Sequence, residues 1–276
     1  MFEYSTFVGN LMNSPILEAT VQVTSLDEAT IEEIRRVLAA HTFARVTGLF
    51  EPETIRAARE RIRSRFRSQN DRKHDPRDPD ALLKNFQKLV VGGTQGVNSV
   101  PRFVRLFYNP LMDEDIFGMH ETFRNLVRFR NLLYGLPKDF TLTGIEDGMW
   151  SATRIHHYPR GGGFMAPHTD VGTATVSREA GLESYVQVIL IMSRKGVDFQ
   201  TGGAYIDVAG ERFFFESDCD PGDVVIYDGR VNHGVEDIDA LDPLDMSSFD
   251  GRLVAMATLF RHFTTRSDDE YKSLMK

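Results

Sequence analysis

The sequence is poor in cysteine and contains no long hydrophobic run. A lone cysteine, Cys219, cannot form an internal disulfide and excludes a zinc site built from several thiolates. The N-terminal residues lack a basic stretch followed by a long apolar one, so we do not expect a signal peptide. No stretch approaches the roughly 18 apolar residues of a membrane-spanning helix. These absences predict a cytoplasmic protein that works in a reducing environment and does not contact a membrane.

Positive charge is also scarce. The 276 residues include 32 Lys and Arg against 40 Asp and Glu, which gives a formal net charge of -8. Proteins that bind nucleic-acid phosphates usually carry a basic field, so a nucleic acid is not an expected partner. Hydrophobic residues make up 41% and charged residues 26%, as in an ordinary globular protein. The length suits a single domain over residues 1–276, and nothing in the composition indicates an oligomeric state.

Secondary-structure patterns change along the chain. Residues 1–140 show mainly helical periodicity, whereas short strands and turns dominate residues 141–263. Helices are predicted from Asp27 to about Ala40, from about Pro52 onwards, over 80–91 and over 113–134, with irregular segments over 68–80 and 92–103. Aspartate suits the N-cap of the first of these helices, and proline suits the first turn of the second. This order indicates an α+β domain with a β-rich C-terminal part.

The segment Pro167-His168-Thr169-Asp170 is the sharpest local signal. On an extended strand, residues two apart point to the same face, so His168 and Asp170 can present an imidazole and a carboxylate to one ion. His233, which follows an apolar strand and a turn, is the best candidate for a third ligand. Two histidines and one carboxylate, with open positions left over, suit non-haem Fe(II). A His-x-Asp pair alone is also common as a hydrogen-bonded surface pair, so the neighbouring motifs matter.

Those neighbours form an ordered series of short motifs. In chain order they are R-x-x-x-Y-P at 154–159, H-T-D at 168–170, G-D at 222–223, N-H-G at 232–234 and R-x-V at 252–254. The series resembles the 2-oxoglutarate/Fe(II)-dependent dioxygenase superfamily over about residues 140–263, in a layout similar to its small-molecule hydroxylase branch. The resemblance implies a double-stranded β-helix, or jelly roll, as the core, with N-terminal and flanking helices.

The resemblance also implies roles for individual residues. His168, Asp170 and His233 would bind Fe(II), and Arg252 would pair with the distal carboxylate of 2-oxoglutarate. The planar guanidinium of arginine matches a carboxylate in bidentate fashion. Tyr158 would hydrogen-bond the same carboxylate. Arginine at the start of a strand is otherwise a common surface residue, and tyrosine a common core-edge residue.

Two further polar residues are expected near the cosubstrate. His156 occupies a position where plant-type members of the superfamily often carry an asparagine, and Gln187 interrupts an apolar strand. A buried amide needs a partner, so Gln187 either faces the cosubstrate or forms a hydrogen bond within the core. Two departures from the family pattern concern Arg252. The acidic segment 237–251 lengthens its spacing from His233, and Val254 stands where many members carry a serine.

The implied activity is oxidation of a small molecule, such as an amino acid or natural-product intermediate, with O2 consumed and succinate and CO2 released. Hydroxylation is the default, and desaturation, cyclisation or epimerisation are variants. Asp170 is the carboxylate that related halogenases replace, so halogenation is not expected. Two rival interpretations stay open: an iron oxygenase that does not use 2-oxoglutarate, which would not need Arg252, and a non-catalytic jelly-roll binding protein.

Residues that cover the site are the least specified by the sequence. Loops and N-terminal segments usually do this in such folds. Four candidates could meet a polar or carboxylated small molecule, or could equally be solvated loop residues: Asn98, Arg102, Arg105 and Tyr108.

Overall fold

Eight antiparallel strands build the core of the chain. The computed structural model describes residues 15–72, 83–92, 100–170 and 185–261. The eight strands are β6 (Met149–Pro159), β7 (Gly163–His168), β8 (Val186–Ile191), β9 (Gly203–Val208), β10 (Glu211–Phe214), β11 (Val224–Asp228), β12 (His233–Ile238) and β13 (Gly251–Arg261). They form two four-stranded sheets with the orders β11-β8-β13-β6 and β7-β12-β9-β10. Apart from the β9–β10 hairpin, successive strands alternate between these two sheets, which confirms the expected α+β fold with a jelly-roll core.

Five more strands come from the first half of the chain. They are β1 (Thr20–Gln22), β2 (Phe43–Thr47), β3 (Asp71–Arg72), β4 (Phe86–Val91) and β5 (Arg102–Tyr108). Strand β2 extends one sheet through β11, and β5 pairs with both β6 and β7, so it joins the two sheets at one edge. The prediction of a helix over 80–91 is wrong, because β4 forms there from Phe86 to Val91. The prediction of an irregular segment over 92–103 is wrong at its end, where β5 begins at Arg102. The division of the chain at residue 140 stays a prediction, although strands from both sides of it share one sheet.

Four helices have described bounds: α1 (Pro15–Glu18), α2 (Glu28–His41), α3 (Pro52–Arg65) and α4 (His120–Tyr134). Asp27 caps α2 by accepting a hydrogen bond of 2.9 Å from the Thr30 amide, and Pro52 opens α3, as predicted. Apolar residues of α2, α3 and α4 share one hydrophobic cluster with strands β8, β11 and β13. The helices therefore cover the outer face of the β11-β8-β13-β6 sheet and leave its inner face toward the second sheet. None of the described helices has the length and apolarity that a membrane crossing requires.

Neighbouring residues of β6 point to opposite faces of the sheet. Ile155 and His157 lie on the outer face, while His156 lies on the inner face. His157 is fully buried, and burial lowers its pKa to about 3, so it is neutral. Its Nε2 lies 3.1 Å from the Asp250 carbonyl and its ring stacks on Phe249, with ring centroids 4.9 Å apart. His157 thus has a packing role and takes no part in the inner face.

The start of β13 depends on a glycine. Gly251 has a φ of 129°, and a Cβ atom there would overlap the carbonyl oxygen of Tyr158 on β6. We expect Gly251→Ala to lower the free energy of unfolding by more than about 3 kcal/mol, because strain and overlap add. Gly210→Ala is the matched control, since Gly210 has a φ of 88° with nothing within 4 Å, and should lose only about 1–2 kcal/mol. Urea unfolding of both variants checks this, and equal losses would contradict it.

Candidate metal centre

Three strand ends bring the predicted iron ligands together. His168 ends β7 and His233 begins β12, and the two residues are directly opposite in the antiparallel pairing of these strands. Asp170 follows β7, and its backbone amide donates a hydrogen bond of 2.9 Å to the carbonyl of Gly229, in the turn after β11. This hydrogen bond fixes the backbone of Asp170 against the turn that follows β11, although Asp170 itself lies outside a regular strand.

The three side chains converge within bonding range of one ion. His168 Nε2 lies 3.7 Å from Asp170 Oδ1, and His233 Nε2 lies 3.2 Å from Asp170 Oδ2. One ligand atom from each residue lies within 4.8 Å of the others. A divalent first-row metal bonded at about 2.0–2.2 Å can span such distances with small side-chain adjustments. Among the residues that the structure describes, these are the three that form a group of this kind.

Backbone carbonyls set the tautomer of both imidazoles. His168 Nδ1 lies 2.9 Å from the Ala166 carbonyl, and His233 Nδ1 lies 2.9 Å from the Val231 carbonyl. Because a carbonyl only accepts, each Nδ1 must donate its proton. Each Nε2 then keeps its lone pair and points toward Asp170. This is the outer-shell arrangement that orients histidine ligands in metal sites.

The charge states of these residues also suit a metal. Burial lowers the pKa of His168, and the neighbouring His233 lowers it further. Burial acts to raise the pKa of Asp170, but the neighbouring His233 and the amide of Gln187 bring it below its ordinary value. Burial likewise acts to lower the pKa of His233, and the Asp170 carboxylate raises it above the ordinary value. The cluster therefore holds an ionised carboxylate beside two imidazoles, the form in which these groups bind metals.

Gln187 contacts the carboxylate ligand. It lies on β8, and its amide donates a hydrogen bond to Asp170 Oδ2. The sequence left two roles open for this buried amide: facing the cosubstrate, or forming a hydrogen bond within the core. Its partner is instead a candidate metal ligand, so the contact matches neither role directly. The role of Gln187 toward a cosubstrate stays a prediction, and its contact with Asp170 becomes visible only with the strand register.

We expect Gln187→Leu to weaken metal binding about 10- to 100-fold, because outer-shell partners of metal ligands typically contribute that much. The measurement is the dissociation constant for Mn(II) or anaerobic Fe(II). Gln200→Leu, the same chemical change at an exposed position, is the control and should leave the constant unchanged. Equal affinities of Gln187→Leu and the unmodified protein would show that the amide does not orient Asp170.

Arg252 and Tyr158 lie side by side on the inner face. They are directly opposite in the β13–β6 pairing, and the Arg252 guanidinium lies over the Tyr158 ring, 4.8 Å from its centroid. Arg252 is 1% exposed, so it is not a surface arginine. Its Nε donates a hydrogen bond of 2.7 Å to Glu216, whose other carboxylate oxygen accepts from the Ala204 amide at 2.8 Å. Sequence reasoning missed Glu216, which gives no local signal.

A second residue that the sequence did not single out is Tyr227 of β11. It is opposite Gln187 in the sheet, and its ring centroid is 5.0 Å from that of His233. Burial raises its pKa well above the ordinary value, the charge of Asp170 raises it further, and Arg252 opposes this. Tyr227 therefore lies within electrostatic range of both the metal ligands and Arg252.

His156 is on the inner face of the sheet, and its place near a cosubstrate stays a prediction. Its Nε2 accepts a hydrogen bond of 2.9 Å from Arg154 Nε. Burial, followed by the charges of Arg154 and Arg252, lowers its pKa well below the ordinary value. The ring is thus neutral and serves Arg154 as an acceptor. Val254, which stands where many members carry a serine, is directly opposite His156 and adds an apolar side chain to this face.

The acidic segment 237–251 folds back without disturbing Arg252. The buried Asp239 carboxylate accepts hydrogen bonds of 2.7 Å from the amides of Gln200 and Thr201. It also pairs with Arg160 at 3.1 Å. The segment is therefore anchored to neighbouring loops, and the register of β13 on β6 is continuous. This departure from the family spacing leaves the inner-face position of Arg252 intact.

The structure describes three of the four candidate covering residues, and these three separate into two faces. Arg102 and Tyr108 lie on β5 on the inner face, whereas Arg105 points outward and pairs with Asp71 at 2.8 Å. Asn98 lies outside the described residues. The sequence could not separate the two arginines, because it did not predict β5 and therefore gave no alternation of faces.

Comparisons with known proteins identify the fold. No family model matches the chain, and no curated protein sequence matches it. The solved structure of SnoN, a non-haem alpha-ketoglutarate-dependent epimerase from nogalamycin biosynthesis, is similar with a TM-score of 0.50 at 12% identity, over 85% of this chain and 83% of that chain. A 2OG-Fe(II) oxygenase family protein from Caulobacter crescentus gives 0.50 at 14% identity, over 88% and 85%. A protein described as an oxygenase, from Shewanella oneidensis, gives 0.51 at 12% identity, over 91% and 94%. At these identities the likeness establishes a shared fold over most of the chain.

Proposed function

We propose that this chain is a mononuclear Fe(II) enzyme that uses 2-oxoglutarate and O2 to oxidise a small molecule, with hydroxylation as the default reaction. The observation that carries the proposal is the convergence of His168, Asp170 and His233, with both Nε2 lone pairs directed at the carboxylate. The shared fold with the solved structures supports it, because those proteins include ones described as alpha-ketoglutarate-dependent or 2OG-Fe(II) oxygenases.

The donor set fits iron. Two imidazole nitrogens and one carboxylate on one side of an ion leave positions for a cosubstrate and O2, which is the arrangement typical of non-haem Fe(II) oxygenases. A structural zinc site would use four protein ligands, and the residues that the structure describes offer three here. Iron and 2-oxoglutarate together would supply the oxidising chemistry, in which the cosubstrate loses CO2 and becomes succinate.

The protein's own part is to bind and orient the cosubstrate. With Nε held by Glu216, Arg252 keeps its terminal N–H donors for the distal carboxylate. Glu216 therefore acts as a positioning residue for Arg252. Tyr158 supports the guanidinium with its ring face, and its hydroxyl is a further donor for the same carboxylate. Tyr227 lies within electrostatic range of both Asp170 and Arg252. Its hydroxyl is therefore a second candidate donor to the cosubstrate.

Apolar side chains complete the inner face. Ile189, Ile191 and Val225 are buried there in the same cluster as Tyr158 and Tyr227. A dry environment strengthens the hydrogen bonds of Arg252 and limits access of water to reactive intermediates. Gln187 keeps the Asp170 carboxylate in one orientation, so the ligand geometry is set before the metal arrives.

An anaerobic titration of the protein with Fe(II) and 2-oxoglutarate tests the proposal. The expected result is a weak visible charge-transfer band that saturates with 2-oxoglutarate. A non-catalytic jelly-roll binding protein would show no such band. An iron oxygenase that does not use 2-oxoglutarate would also bind Fe(II). In such an enzyme, Arg252→Lys would leave the response to added 2-oxoglutarate unchanged. Succinate release stimulated by candidate metabolites then identifies the substrate.

The mass and configuration of the product decide among the variants of the reaction. Hydroxylation adds one oxygen atom to the substrate, desaturation or cyclisation removes two hydrogens, and epimerisation leaves the mass unchanged. The fold likeness to an epimerase makes chiral separation of the products necessary, since a mass measurement alone would miss that outcome.

A further inference from the structure

Three cationic side chains line the inner face beside the candidate metal centre. Lys88 of β4 is opposite Leu106 of β5, which is opposite His156 of β6, so Lys88 shares the face of His156. Arg154 shares this face by alternation on β6, and Arg102 shares it by alternation on β5. We call Lys88, Arg102 and Arg154 the basic wall.

The basic wall has no acidic partner among the described residues. Arg102 Nε is buried without a hydrogen-bond partner, and Arg154 donates only to neutral acceptors, His156 Nε2 and the Ala152 carbonyl. No ion pair involves Lys88 within the ranges that the structure covers. Four other inward-turned arginines have carboxylate partners: Arg45 with Asp223, Arg59 with Asp198, Arg105 with Asp71 and Arg252 with Glu216. Fully buried Arg130 also lacks a carboxylate partner among the described residues, but its terminal nitrogens donate to several neutral oxygens of the core. Arg102, by contrast, has a buried Nε with no acceptor at all.

Keeping these cations together is unfavourable for folding alone. Burial lowers the pKa of Lys88 to about 8, and the charges of Arg102 and Arg154 lower it further. Burial lowers the pKa of Arg102 as well. Buried charges are normally paired, because their loss of hydration is otherwise uncompensated. Since the described part of the chain offers these three cations no acidic partner, the wall has the capacity to bind an anionic group.

The cosubstrate does not account for this anion. Fe(II), Asp170 and doubly charged 2-oxoglutarate together leave one net negative charge, and Arg252 already has Glu216 as a partner. The three cations of the wall exceed that single negative charge by two. The wall is also next to the metal ligands, since Arg102 is opposite Met165 of β7 and lies within electrostatic range of Asp170.

We propose that the basic wall binds an anionic group of the substrate, a carboxylate or a phosphate, and so selects anionic small molecules for oxidation. The proposal rests on the proposed function, because it assigns the wall to the substrate of the same site. Two arginines and a lysine suit such a group, since guanidinium binds carboxylate and phosphate in bidentate fashion. Tyr108 and Phe86 stack beside the wall with ring centroids 4.3 Å apart, which offers an apolar contact next to the charge.

Anion binding to the full-length, metal-free protein tests this directly. The probes are sodium sulfate, a doubly charged oxyanion, and sodium acetate, a carboxylate, each compared with sodium chloride at equal ionic strength. We expect the unfolding temperature of the unmodified protein to rise with at least one probe in a saturable way at low concentration, and more than with chloride, because an anion that binds only the folded state stabilises it. Stabilisation by exclusion of sulfate from the surface does not saturate, so only the saturable rise counts. Which probe gives the saturable rise distinguishes a phosphate-like group from a carboxylate.

Substitutions locate the effect. Lys88→Met and Arg102→Met should lose the anion-dependent rise, whereas Arg56→Met, which removes an exposed charge of the same sign, should keep it. Without added anion, Lys88→Met should unfold at a higher temperature than the unmodified protein, because an unpaired buried charge is removed. The proposal is overturned if Lys88→Met and Arg102→Met respond to the probes as the unmodified protein does, or if no probe exceeds chloride.

The 2-oxoglutarate titration separates this proposal from the proposed function. Lys88→Met should bind 2-oxoglutarate within about twofold of the unmodified protein, whereas Arg252→Lys should lose about 10- to 100-fold, the loss expected for one hydrogen bond between charged groups. A loss in Lys88→Met as large as in Arg252→Lys would assign the wall to the cosubstrate and refute the proposal. If the unmodified protein binds no 2-oxoglutarate, the proposed function fails, and the anion measurements still decide whether the wall is an anion site.

Discussion

Replacing Asp170 by alanine is expected to abolish measurable Fe(II) binding and, with it, turnover. Asp170 is the one carboxylate of the cluster, and both imidazoles are neutral in the form that binds metal. The variant would leave the charge of the ion without compensation and would remove the acceptor of Gln187. We expect the loss in metal affinity to exceed the roughly 10- to 100-fold effect of an outer-shell partner.

Equilibrium dialysis with Mn(II), or anaerobic titration with Fe(II), measures this loss. Thermal unfolding of the same variant gives an independent reading, because metal should raise the unfolding temperature of the unmodified protein but not of Asp170→Ala. Asp228→Ala is a suitable control, since Asp228 is at the end of β11 near the same turn but pairs with exposed Arg230. Metal affinity in Asp170→Ala equal to that of the control would rule out the assigned ligand set.

Replacing Arg252 by methionine is expected to damage both stability and cosubstrate binding. Arg252 is 1% exposed and Glu216 4% exposed, so the substitution leaves a buried carboxylate without its partner. Breaking a buried ion pair in this way typically costs about 3–5 kcal/mol. Binding of 2-oxoglutarate should fall together with stability, because the guanidinium is the donor assigned to the distal carboxylate.

A double variant separates these two losses. Adding Glu216→Gln to Arg252→Met should recover part of the free energy of unfolding, because the unpaired charge is removed, but it should recover no affinity for 2-oxoglutarate. Arg45→Met, which breaks the part-buried pair with Asp223 on another strand, serves as the control that loses stability and keeps cosubstrate affinity. Recovery of 2-oxoglutarate binding in the double variant would show that Arg252 has only a structural role.

The sequence predicted the parts of the site that depend on short-range regularities. The period of two along a strand indicated that His168 and Asp170 could face one ion, and the motif around His233 indicated a third candidate ligand. The structure brings these three side chains together, although Asp170 lies just beyond the end of β7. Caps and first-turn preferences placed α2 and α3 correctly. These features depend on a few neighbouring residues, so they can be recognised before any tertiary contact is known.

The sequence did not predict contacts that depend on strand register. Glu216 and Arg252 meet only because strands from distant parts of the chain are paired, and neither residue has a local motif that indicates the other. Strand β4 was mistaken for a helix because its sequence, FQKLVV, mixes polar and apolar residues without strict alternation. Its pairing with β5 overrides that ambiguous local preference. The basic wall was missed for the same reason, since one of its members is on β4.

The strand that joins the two sheets also links the basic wall to the candidate metal centre. Strand β5 carries Arg102 opposite Met165, three positions before His168 on β7. A shift of Arg102 on binding an anion would reach β7 at Met165, close in sequence to the candidate metal ligand His168. If both proposals hold, occupancy of the wall and the geometry of the metal centre would therefore be coupled through a single pair of strands.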